Sequence, residues 1–152
     1  MADKRHHDAD DQQPDGDFGD FLSELRILLP GAQTLTAFLI ILPFNGGFSQ
    51  IQQGEKLIYV ATFLCSICAL ILFSAPAAQH RLQRPLKDRA KFKNDATRLI
   101  VIGLVPLSLA LILASHLVIA QALTDIRVAW IVTAIVTVLI AFFWWLIPIR
   151  AR

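Results

Sequence analysis

The chain's 26 charged residues leave four long windows entirely free of Asp, Glu, Lys and Arg: 27–54, 57–80, 99–124 and 128–149. A hydrocarbon core about 30 Å thick takes about 20 largely apolar residues in a helix rising about 1.5 Å per residue. Each window can therefore hold one membrane-crossing helix, and together they take up 100 of the 152 residues. Little chain is left for a soluble domain with chemistry of its own. The pattern predicts an all-α fold, a four-transmembrane-helix bundle with approximate spans at 27–44, 57–78, 99–122 and 128–149. These lie in a membrane domain of residues 18–152, preceded by a disordered acidic tail, residues 1–17.

Composition supports this: 17% of residues are charged, against roughly 25% in soluble domains. A water-soluble bundle of this size would need amphipathic helices. The last window, VAWIVTAIVTVLIAFFWWLIPI, is instead apolar on every side, as suits lipid contact.

Orientation follows from Lys and Arg near the span ends. The segment through Arg26, the middle loop and the C-terminal end carry twelve of them, seven in the loop alone; the first and third loops carry only Lys56 and Arg127. That bias places both termini and the middle loop in the cytoplasm. The acidic residues of the tail contribute little to such a bias, and an even number of spans returns the chain to its starting side. No removable signal peptide is expected, because the first window follows an acidic stretch, lacks a small-residue cleavage site and ends in a turn-forming Pro43-Phe44-Asn45-Gly46-Gly47.

The tail, rich in Asp and Gln, has too few large apolar side chains to offset its ordering entropy. After it, Phe18, Phe21, Leu22 and Leu25 share one helical face. They form either a short helix in the inner headgroup layer or an extension of the first span.

Prolines mark the helices: Pro30 in the opening turns of the first, Pro43 at its end, Pro76 and Pro148 near the ends of the second and fourth. Pro106 lies well inside the third, beside Gly103, and should kink it by freeing the carbonyl of Ile102, a packing feature. Tyr59 and Trp130 are expected at the outer headgroup level, Trp144 and Trp145 at the inner one. Small residues recur four apart: Ala129, Thr133, Thr137 and Ala141 in the fourth span, Ala61, Cys65 and Ala69 in the second, Ala110 and Ala114 in the third. Lipid tails are as apolar as leucine, so helices associate by close backbone approach and polar contact, which such stripes permit. They predict a compact bundle, and they equally suit contact with a second copy, a homo-oligomer.

Candidate chemistry is thin. Cys65 and Cys68 match a C-x-x-C spacing, but a pair buried at membrane depth reads as small hydrophobes. His116 is the one ionisable side chain deep in a span, and such a group marks proton or ion handling unless a partner such as Ser115 satisfies it. Gln33, with Thr34 and Thr36, forms a polar cluster in the first span suited to an interhelical hydrogen bond. No midplane carboxylate supports ion-driven transport, and no triad, His-Glu metal motif or carboxylate pair supports catalysis in the spans. His6, His7, Asp8 and Asp10 read as a solvated charge run. No enzymatic activity, cofactor or metal is expected.

The basic middle loop, 81–98, carries seven Lys and Arg against Asp88 and Asp95. At about 1 kcal/mol per basic residue near an anionic leaflet, it should lie against anionic lipid headgroups. A tethered loop of this length offers no folded reader of nucleic acid. Charge of opposite sign on the N-terminal tail also permits contact between tail and loop.

Glu24-Leu-Arg-Ile-Leu-Leu-Pro-Gly-Ala-Gln33, followed by Ala37-Phe38 and Leu42-Pro43-Phe44, resembles the opening signature of a family of small uncharacterised bacterial four-helix integral membrane proteins. Ala75-Pro76 with His80-Arg81, and Asn94 to Arg98, resemble its middle-loop features, and the similarity spans 21–150. The resemblance implies a domain of unknown function in the bacterial cytoplasmic membrane. It points to Glu24, Arg26, Gln33, His80 and Arg81, all towards the cytoplasmic side, as site residues or as anchors of helix ends. A sodium:proton antiporter label goes with some such chains, though no midplane carboxylate supports it here. The expected function is a non-enzymatic accessory or structural membrane component; the competing one is a small ion or proton transporter acting as an oligomer, using His116 and Gln33.

Overall fold

The computed structural model describes residues 23, 25–44, 46, 48, 52–82, 89–123 and 126–150. The acidic tail, its contact with the basic loop, and Phe18, Phe21 and Leu22 lie outside them. Among the described residues, α1 is helical over 25–41 and closes in a tighter turn, Leu42–Phe44. It is followed by α2, Gln53–Leu82, α3, Arg89–Ala122, and α4, Ile126–Arg150. By length and composition all four can cross a membrane, so the chain is a multi-pass membrane protein with the expected four-helix fold.

α2 and α3 outrun the charge-free windows. α3 begins ten residues before Leu99, and α2 continues to Leu82, so most of the segment expected to be a loop is helix. Arg, Ala and Lys are good helix formers, and Phe92, Ala96 and Ile100 recur every four residues as one buried face. That face joins Leu25 of α1 in a cluster at the basic end of the bundle, where Arg26, Arg81, Arg98 and Arg150 also lie. Leu25 thus belongs to a helix continuous with the first span, not to a separate interfacial one.

Facing residues run in opposite senses along neighbouring helices. Thr36 meets Ser66 and Leu39 meets Tyr59 between α1 and α2; Phe73 meets Gly103 and Glu55 meets Gln121 between α2 and α3. Short connections impose this antiparallel order. At the centre of the α2–α3 contact the Phe73 ring rests directly on the backbone at Gly103, and Ala69 and Pro76 complete the buried face of α2. Pro106 sits three residues on within a continuous α3.

The buried row of α2 is Thr62, Ser66, Ala69 and Phe73, not the expected Ala61–Cys65–Ala69. Ala61 and Cys65 are half-buried, and Cys68 is exposed on the helix surface. Rotation by one residue brings two hydroxyls inward, where they meet polar partners. In α4 only Ala129 and Thr133 of the expected stripe face inward; Thr137 is exposed. α4 packs on α3 and, among the described residues, not on α2, leaving it the least covered span, with 6% of its window buried against 33% for α3. Near its end α4 widens to a π-helical stretch, Ala141–Leu146, in which the Ile147 N–H donates to the Phe142 carbonyl. Trp144 on this stretch packs against the basic-end cluster.

Tyr59 stands at the contact between α1 and α2. It is buried, with its ring between Phe48 and Phe63 and its hydroxyl donating to the Leu39 carbonyl at 2.8 Å. Pro43 has no N–H and so leaves the carbonyl four residues earlier, that of Leu39, without its helical donor. The tyrosine hydroxyl supplies the missing bond. Tyr59→Phe should therefore cost about 1–2 kcal/mol. In a Pro43→Ala background, where the backbone N–H is restored, the same change should be close to neutral; unfolding titrations of the four variants in mixed micelles check this.

Candidate functional site

Two polar pairs that join neighbouring spans are built on one plan. Thr36 on α1 donates its hydroxyl proton to the Ala32 carbonyl, 2.8 Å away, and lies 2.6 Å from Ser66 Oγ on α2. A hydroxyl has one proton to give, so Ser66 donates to Thr36. On α4, Thr133 donates to the Ala129 carbonyl at 2.7 Å, and His116 Nδ1 on α3 lies 3.2 Å from Thr133 Oγ1. The same count makes Nδ1 the protonated nitrogen, donating to Thr133. In each pair a threonine satisfied by its own helix accepts a bond from the next, in a medium where an unmet donor is costly.

His116 is buried between α3 and α4, with the Trp130 ring 4.6 Å from its own, tilted by 50°. Its partner is Thr133; Ser115 bonds instead to the Leu111 carbonyl. Trp130 itself is exposed. At this same end Gln121 Nε2 donates to Glu55 Oε2 at 2.8 Å, tying α3 to α2.

The remaining sequence-based candidates are not brought together. Arg26 and Arg81 are exposed at the basic end. Glu24 and the His80 side chain lie outside the described residues. Of the cluster Gln33, Thr34 and Thr36, it is Thr36 that makes the expected interhelical bond; Thr34 returns its hydroxyl to the Pro30 carbonyl and Gln33 is exposed on α1. Thr133 and Ser66, which complete the two pairs, were not among the site candidates. Their signal is a hydroxyl on the inward row, and that row is not defined by one helix alone.

Between α1, α3 and α4 runs a cleft of about 340 Å³, lined by such residues as Leu35, Phe38, Leu111, Val118 and Val132, with Ser115 its single polar side chain. Among the described residues no three of His, Cys, Asp and Glu converge as a metal site would require.

The family of unknown function DUF6328 matches residues 7–148. The chain belongs to this family. The DUF6328 match covers the first three helices and all but the last two residues of α4, and agrees with the uncharacterised family suggested by the Glu24–Gln33 signature. No curated protein and no solved structure matches the chain.

Proposed function

We propose that this DUF6328 chain is a non-enzymatic accessory or structural component of a bacterial cytoplasmic membrane, self-associating, with both termini and the basic segment in the cytoplasm. The observation that carries the reading is the commitment of His116: its Nδ1 is spent on Thr133 and its ring lies against Trp130. Hydrogen bonds from Ser66 to Thr36 and from His116 to Thr133 join helices, and one from Tyr59 closes a backbone gap, which is the work of a scaffold. The lateral cleft has an apolar lining, which suits lipid tails better than hydrated ions.

Orientation rests on the Lys and Arg bias together with the antiparallel order, which gathers Arg26, Arg81, Arg98 and Arg150 at one end. Anionic headgroups are the partner proposed for that end and for the basic segment 81–98. Reconstitution in vesicles with an enclosed pH-sensitive dye tests the reading. Equal, background proton and sodium-coupled flux for the wild type and His116→Ala is expected. Flux that His116→Ala abolishes would instead establish the competing transporter.

A further inference from the structure

Gln33 is the polar side chain that the bundle leaves over. It is exposed, has no hydrogen-bond partner among the described residues, and lies eight residues inside Leu25, about 12 Å along the helix. That depth is beyond the reach of a glutamine amide to the headgroups, and in hydrocarbon an unmet amide is costly. Other exposed hydroxyls are already spent: Thr34 on the Pro30 carbonyl and Thr137 on the Thr133 carbonyl.

A second observation is the row on which Gln33 stands. Pro30, Gln33, Ala37 and Ile40 are all exposed and follow one another at intervals of three, four and three residues. Arg26 and Phe44, also exposed, extend the spacing by four at either end. An alternation of three and four is the seam along which two helices wind about each other, and one polar residue within such a seam fixes its register. Ala37, one turn from Gln33, lets backbones approach closely.

We propose that α1 is the self-association face, and that two copies meet there about a twofold axis along the membrane normal, with Gln33 opposite Gln33. The proposal rests on the self-associating part of the function proposed above and names its surface. Two copies inserted in the same sense place residue 33 at the same depth, and residues beside a twofold axis meet their own counterparts. A carboxamide carries both a donor and an acceptor. The carbonyl of each Gln33 therefore faces the amide N–H of the other, giving two reciprocal bonds with complementary partial charges. Arg26, at the membrane surface, splays into headgroups and aqueous counterions.

The test uses full-length protein, with donor or acceptor fluorophores at the C-terminus, in vesicles of phosphatidylethanolamine and phosphatidylglycerol. Energy transfer should show the wild type associating, Gln33→Leu weakening association about tenfold, and Gln33→Asn retaining most of it. In a Cys65→Ala, Cys68→Ala background that keeps Gln33, disulfide cross-linking should be strong for Ala37→Cys and Ile40→Cys. It should be weak for Thr34→Cys, Phe38→Cys and Ile41→Cys, the neighbouring exposed row. A wild type that stays monomeric at every protein density would overturn both this proposal and the self-association it rests on. A wild type that associates, with Gln33→Leu unchanged or with cross-links on the Thr34 row, would overturn the α1 face alone.

Discussion

Gly103→Ala is expected to lower the stability of the bundle by about 1–3 kcal/mol, the cost of overpacking a closed contact. A methyl group there would lie 2.7 Å from Phe73 Cε1, 3.0 Å from Cδ1 and 3.2 Å from Leu72 Cβ. The ring cannot swing aside, because Phe73 is 1% exposed. Alanine gains up to about 1 kcal/mol of helix propensity over glycine, so the clash has to exceed that gain. Phe73→Ala alone should cost about 2 kcal/mol, below the ~3–5 kcal/mol of a soluble core, since lipid replaces water around the separated helices and chiefly the cavity term remains. The two changes touch the same space, so they should not add: the methyl at 103 fills part of the room the ring vacates. A denaturation cycle of the wild type, both single variants and the double variant in mixed micelles measures this coupling. Additive costs would mean that the Phe73 ring does not rest on Gly103.

Thr133→Val should loosen α4 while α1 to α3 remain packed. The valine keeps the volume but offers His116 Nδ1–H no acceptor, at a cost of about 1–2 kcal/mol by analogy with interhelical bonds in other membrane bundles. The effect is local because α4 is held through α3, with most of its surface uncovered. Spin labels at the exposed positions Val118 on α3 and Ile131 on α4 should give a narrow distance distribution in the wild type and a broad one in Thr133→Val. Thr133→Ser should stay narrow, since it keeps the hydroxyl, and so should Thr137→Val, since Thr137 bonds only to its own helix. His116→Leu combined with Thr133→Val should recover much of the loss, because two apolar groups leave no unmet donor.

How much of this was legible depends on what each feature responds to. The four helices follow from charge-free windows, a property of each segment alone, and the windows at 57–80 and 128–149 fall on α2 and α4 to within a few residues. Helix ends were misjudged where charged residues continue a helix beyond the apolar run, as at Arg89 to Arg98; the clue was the four-residue spacing of Phe92, Ala96 and Ile100. Inward faces were legible only in part. Ala61, Cys65 and Ala69 are as small as the row that packs, and the choice of Thr62 and Ser66 instead depends on Thr36 of another helix. The same holds for the site: His116 stands out alone, but its partner Thr133 is one hydroxyl among several in α4. Tyr59 is expected at the boundary because tyrosine favours headgroups; that its hydroxyl meets the carbonyl freed by Pro43 depends on α1 and is not visible in α2 alone.

The central claim is that four helices cross the membrane in alternating directions with the basic segment on the inner side. Single cysteines at Gly46, Lys91 and Leu123, in a Cys65→Ala, Cys68→Ala background, test it with a membrane-impermeant thiol reagent on intact cells. Positions 46 and 123 should react from outside, and position 91 only after permeabilisation. Equal reaction of 46 and 91 from one side, or reaction of 91 from outside, would contradict it.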